Sequence, residues 1–123
     1  MKLVKRWLPA IAMIALIFII SSLTGKTIRE AGLGDESYHI SGHFILFFFL
    51  CAFIYKGTKN VGLSILLTIL YAFTDEVHQL FVSERAASFK DIATDSVSAF
   101  VAGIILWKFY QNLPKRLKGW LSS

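Results

Sequence analysis

The stretch Ile11–Ile20 reads IAMIALIFII, a run without a single polar side chain. A helix on the surface of a soluble bundle needs a polar face opposite its apolar stripe. This run has none, and neither has Phe44–Phe53, FILFFFLCAF. Four blocks carry the apolar excess: Trp7–Leu23, Ile40–Tyr55, Val61–Val82 and Asp95–Tyr110. Each approaches the roughly 20 residues that a helix needs to cross the bilayer core. In lipid a short chain satisfies its backbone polar groups only as helix. The sequence therefore predicts an all-α fold, a polytopic membrane bundle of four transmembrane helices, about 7–23, 40–55, 61–82 and 92–110, in one domain over 1–123.

The overall hydrophobic share, 55%, only modestly exceeds the roughly 45–50% of soluble domains. Its distribution excludes the soluble bundle, because two blocks are apolar all round. At the N-terminus, Met1–Arg6 and Leu8–Ile20 resemble the first two regions of a signal peptide, but SSLTGK follows instead of an A-x-A site. The first helix is therefore expected to be retained. The lone cysteine, Cys51, falls in the middle of the second helix, where a small apolar role suffices.

Charge sets the expected orientation. Of 13 basic residues, Lys2, Lys5, Arg6, Lys56, Lys59, Lys108, Lys115, Arg116 and Lys118 fall in segments that share one side of the membrane. Lys26, Arg29, Arg85 and Lys90 fall on the other. The positive-inside rule puts both termini in the cytoplasm of a multi-pass plasma-membrane protein. All eight acidic residues lie in the outer loops or outer helix halves. The net charge of +5 is thus a membrane signature. DEVH is no helicase box, since no G-x-x-x-x-G-K-[ST] precedes it, so no nucleic-acid partner is expected.

One polar stretch, TDEVHQLFVSERAASFKD at 74–91, adjoins hydrocarbon on both sides. Counted from the cytoplasmic boundary at ~1.5 Å per residue, His43, Asp75 and Asp95 all lie ~20 Å deep, with Ser21 and Ser22 beside them. An ionised group at a helix centre costs about 2.5–3.5 kcal/mol, so several together imply a shared pocket. Asp75, His78 and Gln79 stand at i, i+3, i+4 on one helix face. Asp91 and Asp95 are one turn apart, and Arg85 in the short outer loop suits a carboxylate or phosphate clamp. The expected binding residues are His43, Asp75, Glu76, His78, Gln79, Arg85, Asp91 and Asp95. Glu76, about 100° round from Asp75, also suits a neighbouring helix or headgroups. Ser21, Ser22, Ser64, Thr68 and Ser98 read singly as interhelical hydrogen-bond glue. Ala99, Ala102 and Gly103 read as close-packing positions.

With Ser21–Ser22 ending the first helix, H-F-x-x-F at His43–Phe47, D-E-V-H-Q-L-F-V-x-x-R at Asp75–Arg85 and S-F-K-D-I-A-T-D at Ser88–Asp95, the chain resembles the VanZ-like family of small bacterial membrane proteins along nearly its whole length. The resemblance implies a four-helix integral membrane protein, and founding members are linked to teicoplanin resistance. The chain departs from the family at Ser83-Glu84, where P-G is usual. Ser98 and Ala102 replace common glycines, and Ile40-Ser41-Gly42 lacks a lysine often found before the helix 2 histidine.

Three function classes fit, in descending order. The first is an outward pocket that binds a cell-envelope component, such as a lipid-linked wall precursor or an anionic headgroup, with membrane lipid around it. The second is a membrane-embedded enzyme in which His78 or His43, oriented by Asp75 or Asp95, acts as general base. The third is a transporter, disfavoured because the inner helix halves hold little beyond Ser64, Thr68 and Cys51. No cofactor motif is present, and without H-E-x-x-H or its like no metal is expected. A homo-oligomer is compatible with all three.

Overall fold

The computed structural model describes residues 2–22, 30, 32, 36–81 and 89–122. Helices α1 (Lys2–Ser21), α2 (Glu36–Thr58), α3 (Val61–Gln79) and α4 (Phe89–Lys108) are followed by a 3-10 turn, Tyr110–Asn112, and a short α5 (Lys115–Ser122). Among the described residues there is no strand. Leu3–Ser21 and Val61–Gln79 are long and apolar enough to cross a membrane, and the apolar part of α2, Gly42–Thr58, is shorter.

The helix bounds differ from those of the apolar blocks. Helix α1 begins at Lys2, ahead of the expected Trp7, because hydropathy marks a solvent boundary and lysine or arginine continues a helix readily. Helix α3 ends at Gln79 rather than Val82. Its start is defined by Asn60, whose side chain accepts a hydrogen bond from Leu63 N at 2.9 Å, filling the N-cap role that asparagine prefers.

Only Lys59 and Asn60 join α2 to α3, so the two form an antiparallel hairpin. Helix α2 packs against α1, α3 and α4, and α3 against α4 and less extensively against α1. The bundle is thus a rhombus with α2 and α3 on its short diagonal and α1 and α4 at opposite corners. Ala10, Ile17, Phe47, Leu50, Ile54 and Ala72 fill the α1–α2–α3 side. Cys51, Ala99 and Ala102 fill the α2–α4 seam. Small residues let these backbones approach. At Gly103 an added Cβ would collide with Ile65.

The exterior is apolar. Ile11, Phe18, Ile19, Ile45, Leu66, Leu70, Phe100 and Ile104 are all exposed, while Ser64, Thr68, Asp75, Gln79, Asp95 and Ser98 are buried. Hydrocarbon outside and polar groups inside fit a membrane protein, in which lipid replaces water as solvent for the outer face.

Candidate functional site

The buried stripe of α3 runs Ser64, Thr68, Ala72, then Asp75, Glu76 and Gln79. Toward the middle of the helix it is closed by local bonds: Thr68 Oγ1 donates to Ser64 O at 2.7 Å, and Ser64 Oγ to Asn60 O at 2.6 Å. Those hydroxyls are spent on packing. At the far end the stripe becomes ionisable, and neighbouring helices supply its partners.

Ser21 at the end of α1 donates a hydrogen bond to Asp75 Oδ1. Gln79 Nε2, one turn on from Asp75, approaches Oδ2 at 3.4 Å. Asp75 is 3% exposed and Gln79 fully buried. Among the described residues nothing donates to the Gln79 amide oxygen. A buried acceptor left unfilled costs about 1–3 kcal/mol, so the Gln79 oxygen is suited to a further donor.

Along the opposite edge of the rhombus, His43 Nδ1 lies 2.9 Å from Asp95 Oδ1. An ionised carboxylate only accepts, so Nδ1 carries the proton of this bond. One turn deeper, Ser98 Oγ donates to Phe44 O at 2.5 Å. These bonds join α2 to α4 as Ser21–Asp75 joins α1 to α3, at the same end of the bundle.

His78 stands apart from the buried group. Its ring stacks on Phe18, centroids 4.5 Å apart, and Nε2 lies 2.9 Å from Ser22 Oγ. The same hydroxyl donates to Phe18 O at 2.7 Å. A serine has one proton to give, so with it on Phe18 the ring donates to Ser22 through Nε2–H. Beside this contact a cleft of about 150 Å³ opens between α1 and α3, lined by Phe18, Tyr71, Thr74, Asp75 and His78. A second cleft of about 260 Å³ lies on α2 and α4 among Phe44, Ala93, Thr94 and Val97.

Burial separates the neighbours of Asp75 on α3. Glu76 is buried at 5% exposure, whereas His78, read as sharing a face with Asp75 and Gln79, sits at the rim and only half-buried. The core of the rhombus lies between the directions of Asp75 and Glu76, which turns His78 toward α1. Arg85 lies outside the described residues. Asp91 lies on α4, but its side chain is outside them. Among the described residues no group of His, Cys, Asp and Glu is placed to hold a metal ion.

Sequence reasoning passed over Tyr71, whose hydroxyl donates to Ile14 O at 3.0 Å and whose ring lines the cleft. The Ser22–His78 contact was also missed. A serine adjoining Ser21 at the depth of His78 was its only signal.

No curated protein and no solved structure matches the chain. The family model described as VanZ/LLP1 matches residues 6–111, which hold all four long helices apart from the first turn of α1, and the chain belongs to that family.

Proposed function

We propose that this chain crosses the membrane four times with both termini cytoplasmic, and that its outward end binds the headgroup of a lipid-linked cell-envelope component. The observation that carries this reading is that two bonded groups, Ser21 with Asp75 and Gln79, and His43 with Asp95, lie at the same end of the bundle. Nine of the 13 basic residues fall toward the opposite end in the four-span layout, which supports the orientation. Asp75 suits an amino or hydroxyl group, Gln79 Oε1 a further donor, and Arg85 an anionic group. The lateral cleft at Asp75 and His78 suits a ligand that arrives through the bilayer with its acyl chains attached. Glycopeptide susceptibility, teicoplanin included, is the cellular property this binding would alter.

Lipids that co-purify with the wild-type chain, compared by mass spectrometry with those of Asp75→Asn and Arg85→Ala, test the reading. A lipid-linked or anionic species held by the wild type and lost from both variants is expected. Identical lipid profiles in three well-folded preparations would defeat it.

Catalysis on the same class of ligand is the second reading, and the Ser22–His78 distance of 2.9 Å favours it. It requires the His78 ring to carry its proton on Nδ1 instead of Nε2, and the Ser22 hydroxyl to swing from Phe18 O, so that Nε2 can accept the hydroxyl proton. Ser22→Ala that retains lipid but loses a measurable turnover would favour catalysis. An unchanged lipid composition after incubation with the wild type would leave binding alone.

A further inference from the structure

We infer that α5 and the basic residues beside it form a docking surface for anionic phospholipid headgroups in the leaflet at that end of the bundle. The surface lies opposite the polar site; it rests on the membrane-spanning layout proposed above, but not on what the polar site binds.

Helix α5, KRLKGWLS, is amphipathic by position. At 100° per residue, Leu117, Trp120 and Leu121 fall within one arc of about 100°, and Lys115, Arg116 and Lys118 fall outside it. The apolar arc is seated on α2. Leu121 is 2% exposed, and Trp120 meets Phe53 edge to face at 5.6 Å.

Two lysines hold the last turn. Lys56 Nζ donates to Trp120 O at 2.7 Å, with the ammonium 4.8 Å from the Trp120 ring centre. Lys59 Nζ donates to Leu121 O. Cations at a helix C-terminus meet both its orphan carbonyls and the negative end of its dipole. Tyr110 OH adds a bond to Lys118 O at 3.0 Å. Helix α5 is therefore fixed to the bundle at one end of its polar face, not trailing from it.

What remains outward is cationic and aromatic. Lys115 and Arg116 are exposed, as is Lys108, whose ammonium lies 5.3 Å from the Trp107 ring. Trp107 is 69% exposed and Phe109 50%. From Ser96 to Ser123 there is no acidic residue to oppose an anion. Rings placed among ammonium and guanidinium groups match the boundary between acyl chains and phosphate, where both find partners. A soluble polyanion would satisfy the charges and leave the apolar ring faces in water.

The test uses the full chain with Trp7→Phe and Trp107→Phe, so that Trp120 reports alone. It is placed in phosphatidylcholine nanodiscs doped with brominated phosphatidylglycerol or, in parallel, brominated phosphatidylcholine. Each nearby basic residue favours an anionic headgroup by about fivefold. Bromine on phosphatidylglycerol is therefore expected to quench Trp120 several-fold more effectively, and the preference to shrink as salt is added. K115Q/R116Q is expected to remove most of the preference with no change in unfolding temperature. Equal quenching by the two lipids, or a preference that survives K115Q/R116Q, overturns the proposal. So does an oligonucleotide that binds the chain in neutral nanodiscs more tightly than phosphatidylglycerol does.

Discussion

His43 on α2 and Asp95 on α4 form a buried pair, Nδ1 to Oδ1 at 2.9 Å, with Asp95 wholly inaccessible. The helices they join run parallel and are otherwise held in this region by Ser98 on Phe44 O. Removing the acceptor strands the imidazole N–H in a dry site, which costs about 1–3 kcal/mol. Asp95→Ala is thus expected to lower stability by that amount. Asp95→Asn keeps an oxygen for Nδ1–H and is expected to lose clearly less. Unfolding of the three proteins in one detergent checks the order, and equal losses from Asn and Ala would show that carboxylate charge, not the hydrogen bond, holds the pair.

Gly57 meets the face of Trp7. A Cβ there would lie 2.6 Å from two indole carbons, and Gly57 O also accepts Arg6 Nε at 2.7 Å. Glycine to alanine within a helix ordinarily gains up to about 1 kcal/mol. Here the rigid ring reverses the sign, and Gly57→Ala is expected to cost about 1–3 kcal/mol by overpacking. Gly119, with open space around its Cβ position, is the control at which alanine is expected to stabilise. Trp7→Leu should recover part of the Gly57→Ala loss in a double-mutant cycle. Additive losses would contradict the contact.

The long helices were legible because apolar runs of bilayer length admit few other folds. Counting rise along them brought Ser21 and Asp75, and His43 and Asp95, to one level, and these pairs are bonded. Depth is a property of one helix and can be read from its own residues. Azimuth is not: whether Glu76 or His78 faces inward depends on where the neighbouring helices stand, and no residue of α3 records that. Helix α5 escaped for another reason. At eight residues it is too short for a hydropathy signal, and its traces were Pro114 just before it and the i, i+4 spacing of Leu117 and Leu121. Its seat depends on Lys56 and Lys59, which the charge pattern alone places only on one side of the membrane.

Lys59 occupies the left-handed region, φ 59°. Its N–H bonds Tyr55 O at 2.7 Å, the single bond of an αL helix cap, a position where glycine is usual. A side chain there costs about 1–2 kcal/mol. Lys59→Gly is expected to relieve that strain while releasing Leu121 O, and Lys59→Ala to release it without relief. The glycine variant should therefore unfold about 1 kcal/mol less readily than the alanine variant. Trypsin should cut after Lys115 and Arg116 faster than in the wild type, and equally in both. Identical unfolding of the two variants would refute the backbone account, and unaltered cleavage would refute the clamp on α5.

The Lys59 ammonium also carries a pH signature. Burial, then the nearby charges of Lys56 and Arg6, hold its pKa below the ordinary 10.5. The unfolded chain keeps that proton up to the ordinary value, whereas the folded chain gives it up sooner. Between the two values the unfolded state binds more protons, so this residue's contribution to stability rises with pH through the window and is least where the ammonium is fully charged. Lys59→Met lacks the effect. The stability difference, wild type minus Lys59→Met, is expected to move in favour of the wild type as pH climbs from neutral toward 10.5. Paired thermal unfolding across that range checks it. A difference that falls with pH would mean that the charge-assisted bond to Leu121 O outweighs burial and the two neighbouring cations, the opposite of the balance at this turn.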